Sequence, residues 1–395
     1  MRLVSVFLCA LWLGAPSLSA QKKIHYAKEL KGFFKDVDAN YPFFKSKGIE
    51  KDWKKSKASL RKRAKACKDD VTFVMIVKEA IDKLRDGHAS FRAVRPKMPR
   101  IEAEYFPGIS LLPASKGRVV VMSTIKALAK DFPPGTLITK INGKGARAYL
   151  DAQSKAAWDR GGYFSSPQRA RLIEYRLPFR GKQGESFKLQ YRSKNRTRNK
   201  KLRATRKVGP WPKNYHLPEG LVALGDSIFH VALSKDLGYC WMTAMGAAAE
   251  ENLKKVQAAH PKVGSWILDL RGNKGGGYAK SMKTTIRGFG TSVAVIVDAG
   301  SISAAETFAR DLVEVCRGRL FGATTAGSSS TKRVFEFPSK VASVRYSVGA
   351  RRGLKGKPIE FFGILSHERL EADPEDLAAG RNTEIEAAKK WLRSK

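Results

Sequence analysis

Two stretches of the chain carry residue types and spacings suited to acyl-transfer chemistry. The first, Asp269-Leu270-Arg271-Gly272-Asn273-Lys274-Gly275-Gly276-Gly277, follows the apolar run Ser265-Trp266-Ile267-Leu268. Three glycines at the C-terminal end of a strand let the backbone approach a ligand and turn its amide hydrogens outward, as an oxyanion site requires; a flexible turn is the plainer reading. The second begins with Val293-Ala294-Val295-Ile296-Val297 and runs through Asp298-Ala299-Gly300 to Ser301-Ile302-Ser303-Ala304-Ala305-Glu306. It places serines at the start of a helix, where free amides and the helix dipole favour negative charge, so Ser303 is a candidate nucleophile. Ser301 or Ser303 could equally serve as a simple helix cap. A serine nucleophile needs a base, and the candidates are His25, His88, His216, His230, His260 and His367. His88 closes the Asp86-Gly87-His88 turn at a helix end, where an imidazole could face a cleft, although any single histidine can be structural. Metal and nucleotide chemistry find no support. His367-Glu368 lacks the second histidine of HExxH, and neither GxGxxG nor GxxxxGK[ST] occurs. No cofactor and no metal site are expected.

These residues need elements to hold them. Residues 26–98 read as a small helical domain: Leu30, Phe33, Phe34 and Val37, then Phe73, Ile76, Val77, Ile81 and Leu84, recur at spacings of three and four. Asp69-Asp70 supplies an N-cap and Gly87 a stop. Residues 102–207 shift to short β-like runs at Arg118 to Met122, Leu137 to Ile141 and Phe187 to Tyr191, with a tight Asn142-Gly143 turn. The segment Lys194 to Lys207 alternates basic and polar residues and reads as a solvated hairpin or edge strand. Residues 220–395 alternate strands (Tyr239 to Met245, Gly264 to Leu270, Ser292 to Val297, Arg319 to Gly322) with helices (Ala247 to Ala259, Ala304 to Val315, Glu384 to Leu392). That order implies an α/β domain with a largely buried sheet.

Composition bounds the partners and the compartment. The 395 residues are 43% hydrophobic, enough for two or three cored domains, and carry 75 Lys and Arg against 36 Asp and Glu, a net charge of +39. Such a chain attracts anionic polymers or surfaces. Because lysine and arginine are spread along the whole chain, that charge reads either as a solvated surface or as a face for an anionic cell envelope; nucleic acid is not expected, because no nucleic-acid-binding motif is present. Residues 1–20, with Arg2, an apolar run from Leu3 to Leu13 and small residues up to Ala20, read as a secretory signal peptide. The mature chain is then secreted or periplasmic, without a transmembrane segment. Cys9 leaves with the signal, and Cys67, Cys240 and Cys316 form either one disulfide plus a thiol or three buried thiols.

Taken in order, these features resemble the S41 family of serine peptidases, the carboxyl-terminal-processing and tricorn-core proteases. The resemblance spans Tyr41-Pro42-Phe43-Phe44, Lys47-Gly48-Ile49, Leu84 to His88, Gly135, Ile141-Asn142-Gly143, the Asp269 glycine run, Ser303-Ala304-Ala305-Glu306, and Gly322 to Gly327. It implies an N-terminal helical domain, a PDZ-like β-rich domain and a C-terminal α/β core of ClpP/crotonase type. In the carboxyl-terminal-processing branch the base is a lysine of a Gly-Lys-Gly turn; here Gly327-Ser328-Ser329 has Ser328 in its place. In the tricorn-like branch the base is a histidine at the position matched by His88. The third member, a glutamate near a C-terminal Gly-Ile/Val-x-Pro-Asp motif, matches Glu360 best, with Glu368 as the fallback, because Gly363-Ile364-Leu365-Ser366-His367 departs from that motif.

The resemblance therefore implies an exported serine endopeptidase acting on polypeptides. Ser303 would be the nucleophile, His88 the base and Glu360 its orienter, with the amides of Gly276 and Ala304 as the oxyanion hole; Gly275 or Gly277 would replace Gly276 if the register slips. The PDZ-like domain would bind an extended peptide at the Phe106 to Ile109 edge, centred on Gly108 and Ile109. The competing expectation is a catalytically silent relative that binds peptides or apolar ligands in the same cleft.

Overall fold

The computed structural model describes residues 24–94, 97–98, 102–193, 196–208 and 215–395, so the expected signal segment 1–20 and Cys9 lie outside the described residues. Its centre is a seven-stranded sheet whose spatial order follows the chain: Val222–Leu224, Ile228–Ala232, Leu237–Met242, Ser265–Asp269, Ser292–Val297, Arg319–Gly322 and Glu368–Arg369. The first three strands pair antiparallel and the rest parallel. Parallel strands covered on both faces should be apolar throughout. Val293 to Val297 meet that demand, each fully buried. One face packs against the helices Ala249–Ala259, Met282–Arg287 and Ala304–Cys316 through Leu253, Val256, Ile286, Phe308 and Leu312. The other is covered by the helix Thr383–Arg393 through Ile385, Ala388 and Leu392.

The middle of the chain forms an antiparallel sheet ordered Ile109–Ala114, Arg118–Thr124, Leu137–Ile141, Ser186–Ser193, Arg196–Arg203, with helices Ala146–Arg160 and Pro167–Arg176. Asn142 and Gly143, at φ +48° and +82°, make the tight turn read from their types. Arg196–Arg203 is the edge strand, exposed except near Leu202, in keeping with its basic, polar alternation.

The helices Tyr26–Asn40 and Asp70–Asp82 form where the periodicity predicts, with a further helix Glu50–Ala66 between them, and the Asp69 side chain caps the last by accepting the Thr72 amide. They do not close a core among themselves. Leu30, Phe33, Phe73 and Val77 share one cluster with Phe337, Val341, Val344 and Tyr346 from the hairpin Ser330–Glu336 and Ala342–Ala350. Ser90–Ala93 adds a third strand to that hairpin. The expected unit 26–98 is thus physically joined to residues from the C-terminal part. Ser330–Glu336 escapes a periodicity reading because its residues are largely exposed and polar. Cys67, Cys240 and Cys316 are all free thiols. No helix among the described residues is long and apolar enough to cross a membrane.

Candidate active site

Ser303 stands between the strand Ser292–Val297 and the helix Ala304–Cys316 with φ +58° and ψ −114°, a conformation that L residues rarely adopt. The turn leading to it is tied down on every side. Asp298 accepts the amides of Gly272 at 3.0 Å and Gly300 at 2.8 Å, and the Ser301 hydroxyl donates to the Leu270 carbonyl at 2.8 Å. Ser301 is therefore committed to holding this turn to the glycine stretch. The Ser303 amide donates to Glu306 Oε2 at 3.0 Å and to the Ser328 carbonyl at 2.8 Å. Ser303 itself is half-buried and forms a capping box with Glu306 at the start of the helix.

The three glycines differ sharply in surroundings. The Gly275 amide is taken by Asn273 Oδ1 at 2.9 Å, and that of Gly277 by the Met245 carbonyl at 2.8 Å. Among the described residues the amides of Gly276 and Ala304 have no acceptor. A Cβ on Gly275 would stand 2.5 Å from the Ile302 carbonyl oxygen, 2.9 Å from Ser303 Cβ and 3.1 Å from the Ala304 nitrogen, which places the glycine loop directly against the Ser303 turn. Gly276, at φ +140°, lies against the Met245 backbone.

His88 follows Asp86, whose Oδ1 accepts the His88 amide at 2.9 Å. Asp86 is buried and also accepts the Ser347 amide at 2.9 Å and its hydroxyl at 3.0 Å. The imidazole Nδ1 lies 3.3 Å from Ser328 Oγ and 3.4 Å from Ser330 Oγ. Burial first, then the positive charges of Lys332, Arg345 and Lys47, bring His88 down to about 4 against the pull of Asp86, so it is neutral at neutral pH. Among the described residues it makes no hydrogen bond to Ser303. Ser328 stands between them, its carbonyl on the Ser303 amide and its hydroxyl on the imidazole.

Glu360 is fully buried, with Oε1 on Lys47 Nζ at 2.9 Å and Oε2 on the Ser329 amide at 3.1 Å. Burial pushes it up to about 7, opposed by Lys47 and assisted by Asp86. Ser165 donates to Ser328 Oγ at 3.1 Å on the histidine side and offsets part of the upward push of burial on Glu360. Potential ligand atoms of Asp86, His88 and Glu360 lie within 4.8 Å of one another, a clustering that no sequence spacing announced. One of the Glu360 oxygens already faces the Lys47 ammonium, and Asp86 is engaged by Ser347 and His88, so the donors fit a lysine better than a metal ion. The fallback Glu368 sits elsewhere, on the sheet-edge strand, half exposed and 3.6 Å from Arg319.

Other contributors carried no readable role in sequence. Glu306, fully buried and pushed up to about 8 by burial, accepts Thr325 Oγ1 at 2.6 Å and the amides of Gly327, Ser328 and Ser303 at 2.8, 3.0 and 3.0 Å. It thereby clamps the loop after Arg319–Gly322 onto the Ser303 turn. From the middle of the chain, Ser165 accepts the Gly87 amide at 2.8 Å, and Ser166 donates to the Ala326 carbonyl at 2.5 Å. Glu306 and Lys47 belonged to recognised stretches, but Ser165 and Ser166 had no signal beyond a serine pair before Pro167. Gly108 and Ile109, the expected peptide edge, are both buried. Ile109 points into the core, while Ser110 donates to the Arg176 carbonyl of the helix Pro167–Arg176 at 2.7 Å.

A model of the family described as Peptidase family S41 matches residues 277–369, the segment that contains Ser303, Glu306 and Glu360. No curated protein matches the chain by sequence. Among solved structures, mature CPAF complexed with lactacystin is similar over 94% of this chain and 98% of its own, at 13% identity and a TM-score of 0.62. A structure from Parabacteroides merdae is similar over 94% and 97%, at 16% identity and a TM-score of 0.52. At these identities the likeness is one of fold, and it covers most of the chain. The segment 277–369 thus matches peptidase family S41, a family of hydrolases acting on peptide bonds, and the chain as a whole shares its fold with these solved structures.

Proposed function

We propose that the chain is an exported serine endopeptidase with Ser303 as nucleophile and His88 as general base. The observation that carries this reading is Ser303 in a strained turn at a helix N-terminus, beside the two unbonded amides of Gly276 and Ala304. Backbone amides aimed at a developing oxyanion are among the largest contributions to acyl-transfer catalysis. With Nδ1 of His88 turned toward Ser328 and Ser330, Nε2 is the nitrogen left to take the Ser303 proton. Ser303 Oγ would bond to the peptide carbonyl carbon, and the oxygen of that carbonyl would carry the negative charge toward the Gly276 and Ala304 amides. The proton on His88 would then pass to the leaving amine as the C–N bond breaks, and water would release the acyl group by the same path reversed.

Glu360 would act on His88 through Ser165 and Ser328, and Asp86 through Ser347 and Ser330, whose hydroxyls lie 2.5 Å apart. The separation of His88 from Ser303 is consistent with a free enzyme, because catalytic hydrogen bonds tighten in the substrate complex. It also favours one second reading: a silent relative that binds peptides in the same cleft. Labelling with a fluorophosphonate probe decides between them. The proposal expects labelling and hydrolysis of an unfolded protein by the wild type, and loss of both in Ser303→Ala and His88→Ala. A wild type that never labels supports the silent relative. Export is tested by fractionation, with the mature chain expected to start after Ala20 outside the cytoplasm.

A further inference from the structure

We propose that Lys47 is a positioning residue for this reaction: its buried ammonium holds the Glu360 carboxylate ionised and in place beside Asp86 and His88. The inference rests on the serine-peptidase reading above and extends it to a residue outside the Ser-His-Glu set. Lys47 has a side chain wholly removed from solvent, and it is one of 75 cations in a chain whose other lysines and arginines mostly face water. Its three ammonium hydrogens each find an acceptor: Tyr41 Oη at 3.0 Å, the Arg85 carbonyl at 2.8 Å and Glu360 Oε1 at 2.9 Å. Tyr41 donates onward to the Leu84 carbonyl at 2.7 Å, so the arrangement has no spare donor. Leu84 and Arg85 belong to the same turn that carries Asp86 and His88. One ammonium therefore ties the backbone of the histidine turn to the carboxylate of a residue 313 positions later in the chain.

Charge makes this tie more than a strut. Glu360 faces Lys47 and Tyr41 from the N-terminal segment and Asp86 and His88 from the histidine turn; Glu306 reaches it from the helix Ala304–Cys316 and Lys332 from the strand Ser330–Glu336. Two of these groups are carboxyls, and His88 is neutral, so Lys47 is the direct counter-charge. A buried carboxyl beside another carboxyl takes up a proton unless a cation touches it. A protonated Glu360 would present a hydroxyl where the hydroxyl chain to His88 needs an acceptor.

The test is the pH profile of kcat/KM for hydrolysis of an unfolded protein, with Ser303→Ala and His88→Ala as references. The wild type should lose activity as the pH falls through about 7, where Glu360 takes up its proton, and keep it above. An opposite charge at this distance moves a carboxyl by about 1–3 pH units, so Lys47→Met should shift the acid limb upward by that amount and lower activity at pH 7 about fivefold or more. Lys47→Arg should keep the wild-type limb. Glu360→Gln should abolish the limb near pH 7. Should Lys47→Met not fold, Lys47→Gln, which keeps a donor toward Glu360, carries the same expectation. An unmoved limb in a folded neutral variant, or an unchanged limb in Glu360→Gln, overturns the assignment. Full turnover in Ser303→Ala or His88→Ala would instead overturn the peptidase reading itself.

Discussion

Replacing Gly275 with alanine tests how closely the glycine loop is fitted to Ser303, the proposed nucleophile. The new Cβ would lie 2.5 Å from the Ile302 carbonyl oxygen, whereas carbon and oxygen normally approach no nearer than about 3.3 Å, so the two backbones must part by roughly 0.8 Å. Gly275 also has φ +73°, which costs an L residue about 1–2 kcal/mol. The displaced residue sits between the Ser303 turn and the Gly276 amide, and a misplacement of about 1 Å typically lowers turnover about 10²-fold. Gly275→Ala should therefore label with a fluorophosphonate roughly 10²-fold more slowly and lose about 1–3 kcal/mol in urea unfolding. Gly277→Ala is the matched control, because its Cβ would meet nothing within 4 Å and its φ is not positive. It should stay within about 0.5 kcal/mol of wild type and label normally. If Gly275→Ala labels at the wild-type rate with unchanged stability, the loop does not position the nucleophile as argued.

Three further outcomes are expected. In Glu306→Gln the carboxamide must turn its NH₂ toward at least one of the Gly327, Ser328 and Ser303 amides, leaving a buried donor unpaired; a loss of about 1–3 kcal/mol in denaturant unfolding is expected, and a loss under about 0.5 kcal/mol would contradict the clamp. A thiol reagent should modify only the half-buried Cys67 in the native protein and reach Cys240 and Cys316 on unfolding, whereas a disulfide in mass spectra would contradict three free thiols. On the exposed sheet face Lys188 stands directly opposite Lys201, near Arg192 and Arg203. Lys201→Glu should raise stability by about 0.2–1 kcal/mol and lower the salt at which the protein leaves heparin, and unchanged elution would discount this face as an anion-binding surface.

The elements that follow a clean period were legible from sequence. The strand Ser292–Val297 and the helix Ala304–Cys316 lie where the apolar run and its following spacing put them, and so does the Asp69 cap. Polar elements were not. Ser330–Glu336 exposes most of its residues, and although Ala342, Val344, Tyr346 and Val348 alternate in its partner as a half-buried strand should, nothing in that alternation says that the strand packs on the N-terminal helices. At the site, residue types suggested Ser303 and His88, while the hydroxyls that lie between them became visible only in space. Serine is common, and a hydrogen-bond chain joining Ser165, Ser328, Ser330 and Ser347 through His88 leaves no period in a sequence because its serines come from three separate segments.

The short connection around Ser165, Ser166 and Gln168 joins two helices that pack on the middle sheet, yet its side chains reach the loop facing Ser303. Gln168 adds contacts to the Phe361 and Phe362 carbonyls at 3.2 and 3.3 Å, just past Glu360. The middle sheet and the Ser303 turn thus share one set of hydrogen bonds, so a displacement of that connection would be transmitted to the loop facing Ser303. A peptide whose affinity for the middle domain depends on where that connection lies would alter the readiness of Ser303, and acylation of Ser303 would alter the affinity for that peptide by the same factor.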